Sequence, residues 1–185
     1  MPKDRPVELP ATETELVFKG RVWDVVTEHF EFEGHTLARD FIRHPGAVAV
    51  IALNERQEVL LINQYRRPVG AFLWELPAGL LDVQGESLEA AALRELAEET
   101  DYQAERIEHL ITFHASPGGN SESIAIYLAS GLSVVETDFV RTGEEANLQP
   151  TWVPLVEAVE SVMRSDMKNP AAVIGILALA RKMGV

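Results

Sequence analysis

Glu95, Glu98 and Glu99 lie within five consecutive residues of the segment LEAAALRELAEET, residues 88–100. On an α-helix, spacings of three and four bring side chains to one side, so the three carboxylates are neighbours. Like charges so placed cost about 0.2–0.5 kcal/mol per pair on an exposed helix, and the arrangement gains nothing unless a cation sits among them. The chain has no cysteine, and its five histidines show no ligand spacing. Hard oxygen donors without sulfur or paired imidazole point to Mg2+ or Mn2+ rather than zinc. The other reading of the same cluster is a solvated acidic helix face; spacing alone does not separate the two.

The surroundings of the cluster do. Gly79, Glu86, Arg94-Glu95-Leu96 and Glu98-Glu99 resemble the Nudix box, G-x5-E-x7-R-E-U-x-E-E-x-G-U, the signature of hydrolases of nucleoside diphosphates linked to another moiety. Two positions depart from it. Glu86 follows Gly79 by seven residues instead of six, an insertion that a loop before the helix absorbs cheaply. It leaves the helical spacing from Glu86 to Glu99 unchanged. Asp101 stands where the box has glycine, just past the helix end, where a left-handed backbone is usual; Asp tolerates that region better than most residues. Neither departure removes a candidate metal ligand.

The flanks resemble the ADP-ribose pyrophosphatase branch: Gln64-Tyr65-Arg66, Trp74-Glu75-Leu76-Pro77-Ala78-Gly79 and Ser116-Pro117-Gly118-Gly119. The resemblance implies metal-dependent hydrolysis of ADP-ribose to AMP and ribose 5-phosphate. It implies Glu95, Glu98, Glu99 and the Ala78 carbonyl as metal ligands, and Glu86 paired with Arg94 to hold the loop against the helix. Arg39, Arg66, Glu75 and Gly118 match substrate-binding positions; a guanidinium is planar and always charged, which suits a diphosphate or an adenine face. Water would be the nucleophile, and a carboxylate from the loop RTGEEANLQ, residues 141–149, would orient it. Glu145 aligns best, Glu144 is the runner-up, and Glu98 or Glu122 would follow if neither served. A pyrophosphatase for another nucleoside diphosphate sugar and a non-catalytic Nudix-like sensor that regulates a partner remain alternatives.

These groups need a frame to hold them. The resemblance covers about residues 45–165 and implies an α/β/α sandwich with a mixed sheet. The sequence pattern agrees. Ala47–Leu53 and Glu58–Gln64 read as buried strands joined by a turn at Asn54–Gln57, with further strands at Ile107–Ala115, Ser123–Ala129 and Thr151–Val153. Val156, Val159, Val162 and Met163 fit a helical period, and Ala171–Lys182 a second helix after Asn169-Pro170. Residues 1–14 are polar, Pro-rich and expected to be mobile. Leu16–Arg43 alternates like a small antiparallel sheet with a turn at Glu33-Gly34. Two domains follow: 1–44, an arm and small sheet, and 45–185, the hydrolase domain. In the resembling enzymes that sheet is exchanged between subunits, which implies a homodimer here.

Composition bounds the partners. A net charge of −13 over 185 residues opposes binding to nucleic acid or anionic membrane, both of which need a basic surface. An anionic substrate must then be drawn in locally, by metal and a few arginines. No apolar run approaches the roughly 20 residues needed to cross a bilayer, and no leader is expected at the N-terminus. The expectation is a cytoplasmic enzyme.

Overall fold

The computed structural model describes residues 1–137, 139–143, 146 and 148–185. Two compact units emerge. One comprises Met1–Pro45 with His114–Glu122, the other Gly46–Phe113 with Ser123–Val185.

The first unit is built on an antiparallel sheet of β1 (Ala11–Lys19), β2 (Asp24–Phe32) and β3 (His35–Arg43) in that order. Glu33 and Gly34, at φ 50° and 82°, make the β2–β3 connection with both central residues left-handed. That conformation matches the twist of a two-residue hairpin. Residues 11–14, expected to be mobile, belong instead to β1, where pairing with β2 from Ala11 opposite Phe30 orders them. Segment 114–122 is stitched to β3: Ile42 N–H donates to the Gly119 carbonyl at 2.9 Å and Ser121 N–H to the Ile42 carbonyl at 3.0 Å.

The second unit carries two sheets. In one, β4 (Ala47–Ala52) pairs antiparallel with β7 (Ala78–Leu80) and parallel with β9 (Ser123–Val134), and β8 (Tyr102–His114) lies beyond β9. The other sheet orders β10 (Thr151–Pro154), β5 (Glu58–Arg66) and β6 (Ala71–Glu75). The expected turn at Asn54–Gln57 is present, closed by Gln57 N–H donating to the Asn54 carbonyl. The strands it joins nevertheless enter different sheets, because both edges of β4 are taken by β7 and β9. β6 and β7 fall in a segment to which the sequence pattern assigns no strand.

Helices cover both faces of the mixed sheet. α1 (Leu88–Thr100) sets Ala91, Ala92 and Leu96 against Val48, Val50 and Ala52 of β4 and Ala125, Tyr127 and Ala129 of β9. α3 (Pro170–Met183) packs on the opposite side, where a Cβ at Gly175 would meet Leu76 at 2.8 Å and Ile126 at 3.4 Å. α2 (Leu155–Met163) packs beside α3. Its buried face is Leu155, Ala158 and Val162, not the expected stripe, since Val156 and Met163 point to solvent. Pro154 is the cap residue immediately before Leu155. The architecture is an α/β/α sandwich with a mixed sheet, plus the small N-terminal antiparallel sheet. Among the described residues no helix is long and apolar enough to cross a membrane.

Candidate active site

α1 is set by local chemistry at both ends. Ser87 caps it, its side chain accepting from Ala90 N–H, and Asp101 ends it in the left-handed conformation, φ 59°. Glu86 was expected to continue the helical spacing. It lies instead before the cap, in a turn closed by its own N–H to the Val83 carbonyl at 3.2 Å.

From this turn Glu86 reaches Arg94 on α1. Arg94 Nε and Nη2 donate to the two Glu86 carboxylate oxygens at 3.0 and 2.9 Å, a bidentate pair that closes the loop against the helix. Nη1 of the same guanidinium donates to Glu95 at 2.6 Å and to Glu98 at 3.1 Å. Glu86, Glu95 and Glu98 therefore share one cation, which offsets the repulsion between Glu95 and Glu98 on the helix. The hydrogen bond to Arg94 holds the Glu86 carboxyl below the ordinary carboxylate range. The same pair raises the pKa of the guanidinium.

The turn between β6 and β7 supplies the opposite wall. Glu99 is buried, and its carboxylate accepts the Ala78 N–H at 2.9 Å. Gly79 passes so close to α1 that a Cβ there would stand 2.0 Å from the Glu95 carboxyl carbon. Only glycine leaves room for that carboxylate where it now lies.

The donor chemistry fits a hard divalent cation: carboxylate oxygens, a neighbouring main chain, and a cradle that a Cβ at residue 79 would fill. Among the described residues, however, no three acidic or histidine side chains converge tightly enough to form a preformed metal cage. The carboxylates close on Arg94 and on the Ala78 N–H.

The other expected site residues divide. Arg66 and Glu75 meet each other: Arg66 Nε and Nη2 donate to Glu75 at 2.9 and 2.7 Å, with Glu75 buried and Arg66 about half exposed. Arg39 and Gly118 belong to the first unit, where with Phe41 and Asn120 they line a cavity of about 390 Å³. Arg39 is exposed there, and its Nη1 donates to the Ala38 carbonyl at 2.7 Å. Glu122 lies beside His44, 3.6 Å from its Nε2. Glu144 and Glu145 fall outside the described residues. Arg141, which no motif or spacing singles out, donates from Nε to the Glu98 carbonyl at 2.7 Å.

The NUDIX domain family model matches residues 43–173. The chain belongs to the Nudix family. It is 40% identical over 146 residues to the ADP-ribose pyrophosphatase of Mycobacterium tuberculosis, covering 79% of this chain and 70% of that protein. It is 45% identical over 164 residues to the methanol dehydrogenase activator of Bacillus methanolicus, covering 88% of each. Among solved structures, that of an ADP compounds hydrolase superposes with a TM-score of 0.80 at 21% identity, over 98% of this chain and 97% of the other. That likeness shows the Nudix fold.

Proposed function

We propose that this Nudix enzyme hydrolyses the diphosphate of ADP-ribose to AMP and ribose 5-phosphate, using Mg2+ or Mn2+. The observation that carries the reading is the gathering of Glu86, Glu95 and Glu98 about Arg94, with Glu99 and Gly79 locking the same helix to the β6–β7 turn. Its support beyond geometry is the similarity to two ADP-ribose pyrophosphatases, the second from Bacillus subtilis at 40% identity. Glu95, Glu98, Glu99 and the Ala78 carbonyl would hold the metal, and Glu86 and Arg94 keep these groups in place. A divalent cation on a diphosphate neutralises developing charge and lowers the pKa of bound water. Glu145, with Glu144 as the alternative, orients or deprotonates the attacking water. Arg39 and Arg66 would meet the diphosphate or the adenine face, Glu75 the nucleoside or ribose, and Gly118 would line the substrate.

The reading extends to the whole molecule: an arm and small sheet over residues 1–44, a hydrolase domain over 45–185, and a cytoplasmic homodimer that exchanges the small sheet. Support for the dimer comes from β1, exposed throughout, and from Leu16, Val17 and Phe18, which stand apolar in solvent and call for cover. A panel of nucleoside diphosphate sugars with Mg2+, read as phosphate released after phosphatase treatment of the products, tests the substrate. Preference for a sugar nucleotide other than ADP-ribose would overturn it.

The similarity to a methanol dehydrogenase activator favours a second reading, in which this chain regulates a dehydrogenase. Adding the protein to a methanol dehydrogenase assay and finding no change in rate would set that reading aside.

A further inference from the structure

The last four carbonyls of an α-helix have no partner within the helix, so the final turn is where it frays. In α1 that turn carries Glu98 and Glu99, and no basic residue of the helix itself lies there. The cation comes from outside. Arg141 Nε donates to the Glu98 carbonyl at 2.7 Å, and Nη2 stands 2.8 Å from the Asp101 carboxylate. The second contact lies off the hydrogen-bond direction, leaving that buried nitrogen without an aligned acceptor; it is an ion pair. Val135 N–H donates to the Asp101 carbonyl at 2.9 Å, and Asp101 N–H to the Ala97 carbonyl at 3.0 Å.

Asp101 is an unfavourable choice by local rules. Its left-handed backbone suits glycine better, and a carboxylate at a helix C-terminus faces the negative end of the macrodipole. A guanidinium 2.8 Å from the Asp101 carboxylate reverses the electrostatic sign and gives the Glu98 carbonyl a partner. Resting on the hydrolase reading above, we propose that Asp101 and Arg141 are positioning residues, a clasp on the last turn of α1 that holds Glu98 and Glu99 in the arrangement the reaction uses.

Asp101→Gly keeps the backbone conformation and removes only the carboxylate, so it separates the clasp from the cap. Amide hydrogen exchange of residues 96–102 in the metal-free protein would be measured for Asp101→Gly, Arg141→Gln, Arg141→Lys and the double variant Asp101→Gly/Arg141→Gln. Alongside it run kcat, KM and the Mg2+ concentration for half-maximal activity on ADP-ribose. The expected result is faster exchange in that segment for Asp101→Gly and Arg141→Gln, with kcat lowered about 10-fold and the Mg2+ requirement raised. KM at saturating Mg2+ stays close to that of the wild type, and Arg141→Lys recovers part of the loss. The double variant is no worse than the poorer single one, as expected of two residues that act through one contact. Unchanged exchange, or faster exchange with kcat and Mg2+ requirement both at wild-type values, would overturn the clasp. A wild-type protein inactive on ADP-ribose, with exchange still faster in the variants, would count against the substrate and leave the clasp standing.

Discussion

Gly79→Ala places a methyl group where the Glu95 carboxylate now lies. A Cβ would stand 2.0 Å from the carboxyl carbon, and ordinary contact begins near 3.4 Å. The carboxylate must therefore retreat by about 1.4 Å, the difference between those distances. A displacement on the order of 1 Å in a reacting constellation costs roughly 10²-fold in rate, equivalent to about 2.7 kcal/mol of barrier. Folding should not suffer. Gly79 has no positive φ, the obstructing atoms are the far end of a flexible side chain, and Gly→Ala at a compatible backbone gains about 0.4–1 kcal/mol from the unfolded state. Turnover of ADP-ribose and urea unfolding would be measured on the same preparation. The expected outcome is turnover down about 10²-fold with an unfolding midpoint at or above that of the wild type. Gly175→Ala is the control, because its Cβ would meet Leu76 and Ile126 in the core. It should cost about 1–3 kcal/mol of stability and leave the turnover of the folded fraction unchanged. Wild-type turnover in Gly79→Ala would refute the idea that the placement of Glu95 matters.

Other consequences are as direct. Arg66→Ala strands the buried Glu75 carboxylate and should lower stability by about 2–3 kcal/mol, towards the low end for a broken buried pair because Arg66 is partly open to water; a loss below about 0.5 kcal/mol by urea unfolding would show that the pair contributes little to holding β5 and β6 together. The Glu86 carboxyl is held below its ordinary value of 4.5 by Arg94, so the stabilisation it gives is complete above pH 4.5 and is lost as pH falls through the lowered value. In thermal melts, the stability gap between wild type and Glu86→Gln should then be constant above about pH 5 and close at lower pH; a gap that widens on acidification reverses the sign. Glu145→Gln should lower kcat by about 10²–10⁴ with little change in substrate affinity, and Glu144→Gln should be mild; the reverse pattern in steady-state kinetics moves the role by one residue.

What the sequence made legible is what local chemistry decides. The three- and four-residue spacing of Glu95, Glu98 and Glu99 put them on one side of α1, and Asp101 took the left-handed conformation its position demands. The β2–β3 turn at Glu33-Gly34 follows from the same kind of rule. Partner choice across the chain was not legible. β4 and β5 were readable as strands, but their entry into separate sheets depends on β7 and β9 occupying both edges of β4. The Arg66–Glu75 pair joins two residues that each match a substrate-binding position. It was hidden because β6 was not recognised as the strand paired with β5. Arg94 was matched with Glu86 alone, and its reach to Glu95 and Glu98 needed coordinates. Arg141 lies 43 residues from Glu98, and no motif or period links them.

Glu99→Gln tests the central claim most directly. Glutamine keeps the shape and the carbonyl acceptor for the Ala78 N–H and removes one charge from the carboxylates that would hold the metal. ADP-ribose turnover would be followed as a function of Mg2+ concentration for the wild type and the variant, with circular dichroism on both. The prediction is no turnover of the wild type in excess chelator, a loss of at least about 10²-fold in Glu99→Gln at every Mg2+ concentration, and superimposable spectra. Full wild-type activity in excess chelator, or undiminished turnover by Glu99→Gln, would contradict the account.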